Sequence, residues 1–298
     1  MRRPLTPLER KDAMYKIKIS TDSTSDIPAS FRQELNISVL PLTILADGKE
    51  YRDGVDITPQ EFYKILDEAE VLPVSSQVHA SEYLELYRQV AEEGYTDLIH
   101  VSLNGKGSGT YQAAVMTRDM FREEHPEAKL NIHIIDSRTY SMGYGMAVVE
   151  AARMARDGAA PAEIIAHIED WVAYTRPVFV PMNLKCVKKS GRISPAAAFV
   201  GDAIGLKPLI TFEDGEAKIL SKVRGEHKAI AALVELCTKE RRPGTSYCLV
   251  HGKNQETFEQ LKAACAQVMD QPPMAEYEVG CIIGINTGPD IVGILYRK

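Results

Sequence analysis

The fold is decided by residues 98–112, which read LIHVSLNGKGSGTYQ. The apolar first part is typical of a buried strand, and the Gly/Ser-rich middle predicts a tight turn. The residues that follow have helical spacing, with Ala113, Met116 and Met120 as the apolar positions. A strand, a turn and a helix start present free backbone N–H groups to an anion. This stretch alone leaves open an ordinary βα connection in which Ser108 caps the helix.

Apolar runs and amphipathic segments alternate through the first half of the chain. Strands are predicted at 16–20, 37–45, 98–103 and 131–135, with a hairpin turn at 47–48. Helices are predicted after the capping box at 58–61, at 81–93, after Ser108 and at 142–156. Strands separated by helices of this length indicate βαβ units and a mostly parallel sheet.

The second half mixes hairpins with helices. Strands are predicted at 206–212, 217–223, 246–250, 277–286 and 291–296. Helices are predicted at 161–174, from 194–195 onward, at 226–239 and at 254–269. We therefore expect an α/β protein of two domains, the first with a parallel α/β/α sheet and the second an α+β domain with a mixed sheet. The expected parts are a disordered leader at 1–13, an N-terminal domain at 14–158 and a C-terminal domain at 159–298.

Composition excludes several classes of function. The formal net charge is −6 and there is no basic stripe, so nucleic-acid binding is not expected. No run of about 18 apolar residues indicates a transmembrane segment. The five cysteines lack a CxxC pair and the seven histidines lack metal-ligand spacing, so neither a metal site nor a disulfide framework is expected. Reduced thiols favour a cytoplasmic location.

The short motifs do not predict bond-making chemistry. A nucleophile elbow would need glycine two residues before Ser108, where Lys106 stands, and a P-loop would need a longer glycine spacing. What remains is a set of hydroxyl-rich turns: 22–26, 75–77, 108–110, 136–137 and 286–288. Turns at the carboxyl ends of an open α/β sheet converge on one crevice, and neutral donors there suit a carboxylate. Each turn taken alone could equally be an ordinary Asx or Ser/Thr turn.

From residue 14 onward the sequence resembles the DegV family, which includes the fatty-acid-binding subunit of bacterial fatty acid kinase. The resemblance rests on motifs at 21–26, 53–57, 75–77, 108–112, 135–137, 191–194, 207–208 and 287–289. It implies two α/β domains with a long-chain fatty acid held between them. It also implies a partner, the catalytic subunit of a fatty acid kinase, which phosphorylates the carboxylate that this protein presents. No cofactor and no catalytic residue are implied, only the bound fatty acid as ligand.

The resemblance carries over to particular positions. The carboxylate-binding residues that it implies are Ser75, Ser76, Ser108, Gly109, Thr110, Asn286 and Thr287. Ser75 and Ser76 stand at the family's Thr-Ser pair, and Ser108 stands at its carboxylate-binding serine. Arg192, in the segment 188–192, matches a Gly-Arg motif and is expected to dock the kinase. A solvated charge run on a loop is the alternative for that segment.

Three positions depart from the family pattern. Asn286 stands where His is common, Asp290 where Gly is common, and Gly107 where Leu is common. An asparagine can still donate a hydrogen bond to a carboxylate, but it carries no charge. We expect a fatty-acid carrier that is not itself an enzyme. The alternatives are a serine hydrolase or transferase acting on a small acyl or phosphorylated substrate, and a ligand sensor without a kinase. Trp171 is expected in the core, and Cys186 and Cys281 are expected to be buried within strand-like runs.

Overall fold

The computed structural model describes residues 15–192 and 205–298. The predicted leader at 1–13 and the helix predicted from 194–195 lie outside these ranges. The strands are β1 (Ile17–Asp22), β2 (Ser38–Leu40), β3 (Thr43–Ala46), β4 (Lys49–Arg52), β5 (Val74–Ser76), β6 (Asp97–Ser102), β7 (Asn131–Asp136), β8 (Thr175–Pro181), β9 (Leu206–Glu213), β10 (Glu216–Arg224), β11 (Tyr247–His251), β12 (Ala275–Glu278) and β13 (Ile291–Arg297). The helices are α1 (Ala29–Glu34), α2 (Pro59–Glu68), α3 (Ala80–Glu92), α4 (Thr110–Glu124), α5 (Met142–Arg156), α6 (Pro161–Tyr174), α7 (Lys185–Ser190), α8 (Glu226–Glu240), α9 (Gln255–Val268) and α10 (Cys281–Thr287).

A parallel sheet organises the first half of the chain. Its strand order is β2-β1-β6-β7, with every pair parallel, as predicted. The turns after β1, β6 and β7 therefore leave the same edge of the sheet. Helices α5 and α6 cover one face, where Ile19, Ile99, Tyr144 and Ile164 form a buried cluster and Trp171 packs against it. Helix α6 thus shares the core of the first half, while the boundary at 158/159 stays a prediction.

The strand predicted at 37–45 is wrong as a single element. It is divided into β2 and β3, which belong to different sheets. Pro41 lies at the break and has no N–H group to donate to a strand ladder. After the break, β3 pairs antiparallel with β4 through the predicted turn at 47–48 and with β5 on its other side. This small sheet brings the Ser75–Ser76 pair into a strand, where a turn was expected.

The second half is built on a six-stranded mixed sheet. Its order is β10-β9-β8-β13-β11-β12, and only the β11–β12 pair is parallel within the described residues. The predicted hairpin at 213–215 joins β9 and β10. Helices α8 and α9 bury one face of the sheet, with Leu233, Leu249, Leu261 and Ile294 in the core between them. The predicted α/β class, with a parallel sheet followed by a mixed one, is confirmed.

The strand predicted at 277–286 is also wrong. Only Ala275–Glu278 is a strand, and Cys281–Thr287 forms helix α10. Residues 281–285 are all buried, so the apolar run shows neither a strand nor a helix period. Cys281 and Cys186 are buried as expected, but both lie in helices, at the start of α10 and in α7.

Two helices differ from expectation in their exposed faces. Helix α4 buries Thr110, Ala114, Thr117 and Phe121, whereas Met116 and Met120 are exposed. The predicted apolar stripe is therefore wrong at the two methionines, although Ala113 packs against the core, because Thr110 and Thr117 pack inward despite being polar. The basic segment before Arg192 is helix α7 rather than a loop. None of the helices in the described ranges is long and apolar enough to cross a membrane.

Candidate functional site

A cavity lies between the parallel sheet and the mixed sheet. Its volume is about 1020 Å³, including the space where it opens to solvent. Both halves of the chain supply apolar wall residues, including Leu42, Leu103, Val178, Phe179, Ile283 and Leu295. Pockets for small molecules commonly have mostly apolar walls and a few polar groups that set orientation. The lining fits a largely apolar ligand.

The turn after β6 brings Ser108 to the cavity wall. The Ser108 hydroxyl lies 2.9 Å from Thr110 Oγ1 and accepts a 3.2 Å hydrogen bond from the Thr110 N–H. Helix α4 begins at Thr110, with Gly109 rather than Ser108 as its N-cap. Thr110 is fully buried behind Ser108, and a Cβ at Gly109 would lie 2.0 Å from Gln77 Oε1. The side of the turn that faces away from the cavity is therefore packed against Gln77, and Ser108 supplies the hydroxyl group that lines the cavity.

Strand β5 presents Ser75 to the same cavity. Neighbouring residues of a strand point to opposite faces, and Ser76 is exposed on the other face of β5. The register pairs Ser75 with Ile44, whose side chain belongs to the buried core. The structure thus places one member of the predicted serine pair at the cavity and the other outside it.

Helix α10 brings Asn286 and Thr287 to the cavity from the second half of the chain. Asn286 Nδ2 donates a 2.7 Å hydrogen bond to the Ile282 carbonyl, while its Oδ1 is buried without a hydrogen-bond partner among the described residues. The Thr287 hydroxyl lies 2.9 Å from the Ile283 carbonyl and 3.0 Å from that of Gly288, which fixes its proton on the backbone. Thr287 therefore has no proton left for a ligand, whereas one amide hydrogen of Asn286 is not used in these bonds.

Arg192 lies just after α7, at the edge of the cavity, and is exposed. Gly191 ends the helix with a left-handed φ of 68°, which turns the chain there. The Arg192 guanidinium donates a 2.8 Å hydrogen bond through Nη1 to the Ser190 carbonyl. The predicted docking residue therefore borders the same cavity as four of the seven predicted head-group residues, namely Ser75, Ser108, Asn286 and Thr287, whereas Ser76, Gly109 and Thr110 do not line it. Its docking role stays a prediction.

The buried carboxyl group of Asp22 holds two residues of the cavity wall, Leu103 and Thr24, by their backbone N–H groups. Asp22 is fully buried at the end of β1, and its oxygens accept hydrogen bonds from Leu103 N (2.8 Å) and Thr24 N (3.1 Å). It also accepts from Tyr144 Oη (2.8 Å) and Ser102 Oγ (3.3 Å). Burial raises the pKa of Asp22 to about 6, although these hydrogen bonds oppose the shift. Asp22 fixes both the end of β6 and the turn after β1.

A second buried carboxyl joins three segments near the cavity. The Ser141 hydroxyl donates a 2.5 Å hydrogen bond to Asp26 Oδ2, and the Ser141 backbone has a φ of +53° that is unusual for serine. A Cβ at Gly280 would lie 2.4 Å from Asp26 Oδ1, so α10 approaches this carboxyl very closely. Burial raises the pKa of Asp26, and Asp53, whose own pKa burial also raises, adds to the effect.

Sequence reasoning missed four polar residues of the wall: Thr24, Tyr140, Ser141 and Ser190. Ser190 lies in the quoted segment 188–192. Thr24 belongs to the quoted turn 22–26, and its Oγ1 is buried without a partner among the described residues. Tyr140 and Ser141 follow the quoted pair at 136–137, so position after a strand end was the signal available for both. Within the described residues, no cluster of His, Cys, Asp and Glu is arranged to hold a metal ion.

These features define an α/β protein with an apolar cavity between its parallel sheet and its mixed sheet. The family model described as "Uncharacterised protein, DegV family" matches residues 16–298. The chain therefore belongs to the DegV family, as the sequence motifs predict.

Relatives of known sequence and structure agree with this assignment. A DegV domain-containing protein of Caldanaerobacter subterraneus is 36% identical over 96% of this chain and 100% of its own length. A structure described as fatty acid binding of a DegV family protein from Thermus thermophilus has a TM-score of 0.83 at 27% identity, covering 95% of this chain and 100% of that one. A fatty acid binding DegV family protein from Streptococcus agalactiae has a TM-score of 0.83 at 26% identity, covering 94% and 98%.

Proposed function

We propose that this protein is a fatty-acid carrier that encloses a long acyl chain in the cavity between its two sheets and presents the carboxyl group to a fatty acid kinase. The observation that carries the proposal is the cavity itself, with apolar walls from both halves of the chain and the Ser75 and Ser108 hydroxyls on one side. The fatty-acid binding described for the Thermus and Streptococcus relatives supports the same ligand class.

The energetics favour retention of a chain of this kind. Burial of about fifteen methylenes at ~0.8 kcal/mol each gives a gross driving force of roughly 12 kcal/mol. Ordering of the chain and loss of translational freedom offset a large part of that figure. The acyl tail therefore supplies the affinity, and a few hydroxyl contacts suffice to orient the head group.

The proposed kinase step requires that the carboxyl group of the bound fatty acid stays accessible. A carboxylate oxygen would attack the terminal phosphorus of ATP, the bond to the leaving ADP oxygen would break, and an acyl phosphate would form. This chain supplies position rather than reacting groups. Arg192 lies exposed beside the cavity, which suits a residue that contacts the kinase next to the carboxyl group.

Ser108 has no feature that favours the hydrolase alternative. Its hydroxyl hydrogen-bonds with Thr110, whereas an activated serine nucleophile is bonded to a general base. A serine-directed fluorophosphonate should therefore leave Ser108 unlabelled. Labelling at Ser108 would favour a serine hydrolase or transferase over a carrier.

The direct test is lipid analysis of the protein purified from bacteria. Organic extraction and mass spectrometry should recover about one fatty acid per chain, and the loaded protein mixed with ATP and a bacterial fatty acid kinase catalytic subunit should yield acyl phosphate. Arg192→Ala should lower the rate of acyl-phosphate formation while the fatty acid stays bound. An empty protein that also fails to bind added palmitate would overturn the carrier role. A loaded protein that no kinase phosphorylates would overturn only the kinase step.

A further inference from the structure

The Tyr140 side chain stands on the cavity wall where the two halves of the chain meet. Its ring packs against Phe212 of β9, with 4.7 Å between the ring centroids. Its hydroxyl oxygen accepts a 3.0 Å hydrogen bond from Asn104 Nδ2, and the same amide nitrogen donates 2.6 Å to the Gly215 carbonyl in the β9–β10 hairpin. The phenol is therefore held at both its ring and its oxygen.

Gly107 leaves the room that this hydroxyl occupies. A Cβ at position 107 would lie 1.8 Å from Tyr140 Oη, far inside any allowed contact. The backbone of Gly107 does not have a positive φ, so its conformation alone does not require glycine. Space for the Tyr140 hydroxyl is thus the structural reason for glycine at this position.

The hydroxyl proton of Tyr140 is not used in the hydrogen bond with Asn104. Asn104 Nδ2 can only donate, so Tyr140 Oη is the acceptor in that bond and its own proton points elsewhere. No described residue accepts that proton in a hydrogen bond. Burial raises the pKa of Tyr140, which keeps the hydroxyl protonated at neutral pH. The cavity wall therefore carries an oriented O–H donor.

The opposite wall carries Asn286, Thr287 and Arg192. Asn286 uses one of its two amide hydrogens for the Ile282 carbonyl, and Thr287 directs its proton to the backbone. A carboxylate accepts hydrogen bonds and offers none. The Tyr140 hydroxyl, whose proton has no acceptor among the described residues, is suited to be one of its donors.

We infer that the Tyr140 hydroxyl donates a hydrogen bond to the carboxylate of the bound fatty acid, and that Gly107 is the residue that allows it to do so. The inference rests on the proposed fatty-acid binding and names a head-group residue beyond the predicted ones. Tyr140 and Gly107 form one unit, because either a missing hydroxyl or an added methyl group removes the same contact.

A double-mutant cycle tests this unit. The delipidated wild type, Tyr140→Phe, Gly107→Ala and the double variant are titrated with palmitate, and Tyr174→Phe, which changes an exposed tyrosine outside the cavity, is the matched control. Tyr140→Phe keeps the ring on Phe212 and removes only the oxygen. We expect palmitate to bind roughly tenfold more weakly to each single variant, in line with loss of one hydrogen bond to a charged group. The double variant should be no weaker than Tyr140→Phe, because the two changes remove one contact.

A spectroscopic readout separates a head-group contact from a packing effect. Hydrogen bonds to the ionised form lower the pKa of a carboxyl group, so carbon-13 NMR of carboxyl-labelled palmitate should show a higher pKa when it is bound to Tyr140→Phe than to wild type. Equal affinity and equal pKa in wild type and Tyr140→Phe would overturn the inference and leave the carrier function standing. Additive losses in the cycle would overturn the pairing with Gly107. A wild type that binds no palmitate would remove the proposed function itself.

Discussion

Replacement of Asp22 by Asn tests the support beneath the cavity wall. Oδ1 accepts from Thr24 N and Tyr144 Oη, and Oδ2 accepts from Leu103 N and Ser102 Oγ. Asparagine keeps the shape but turns one oxygen into a donor. The hydroxyl on that side can rotate to accept, but the backbone N–H cannot, so one buried N–H loses its partner in either orientation. We expect the free energy of unfolding to fall by about 1–3 kcal/mol at acidic pH, where the wild-type carboxyl is neutral too.

The difference between the two proteins should depend on pH. Burial raises the folded-state pKa of Asp22 to about 6, above the ordinary value of 3.8 for an aspartate in water. The folded state therefore binds the proton more tightly, which stabilises the wild type fully below about pH 4 and is lost as pH rises through about 6. A pKa raised by about 2 corresponds to about 3 kcal/mol in total, of which about 2 kcal/mol falls between about pH 4.5 and 7.5. The advantage of wild type over Asp22→Asn should shrink by that amount across this range.

Urea unfolding of both proteins at several pH values measures this difference. Asp157→Asn is the matched control, because Asp157 has 66% of its side chain exposed and should change stability by less than about 0.5 kcal/mol at every pH. A difference between wild type and Asp22→Asn that stays constant from acid to neutral pH would refute the raised pKa. Stability equal to wild type at acidic pH would refute the argument from the orphaned N–H.

Three further changes address the cavity and its frame. Ser108→Ala should weaken palmitate binding roughly tenfold while circular dichroism stays that of wild type, with Ser81→Ala as control; unchanged binding would remove Ser108 from the site. Ile283→Phe should fill part of the cavity and shift the co-purified lipids to shorter chains by mass spectrometry; an unchanged profile would place the tail elsewhere. Gly280→Ala should lower the free energy of unfolding by about 1–3 kcal/mol in urea, because its methyl group meets Asp26; wild-type stability would show that α10 can move away freely.

The parallel sheet and its turns could be predicted because their signals are local. Each strand of the βαβ units ends at a polar turn, and the helices between them carry caps and regular apolar spacing, as at the capping box of Thr58 and Glu61. Parallel connection then places the turns after β1, β6 and β7 at one edge without further information. Ser108 could be placed near the cavity on this basis, and Ser75 followed from its family motif.

The contribution of the second half could not be predicted in the same way. The Tyr140 ring packs against Phe212, which is distant in sequence, and its hydroxyl occupies the space beside Gly107. The spacing of apolar residues along the chain predicts neither contact. Glycine at position 107, where leucine is common in the family, suggests only that an apolar contact is lost. The structure shows that the Tyr140 hydroxyl occupies the space beside it.

The wrong secondary structure predicted at 281–287 also changes which hydrogen-bond donors Asn286 and Thr287 can offer to a ligand. The family resemblance implied Asn286 as a head-group residue, and at the end of the predicted strand its amide would be free to donate to a carboxylate. In helix α10 its Nδ2 meets the carbonyl four residues earlier, and Thr287 does the same with Ile283. Helix geometry thus directs one amide hydrogen of Asn286 and the hydroxyl proton of Thr287 to the backbone. The Tyr140 hydroxyl, by contrast, keeps a proton that no described residue accepts, which is why we assign a head-group contact to it.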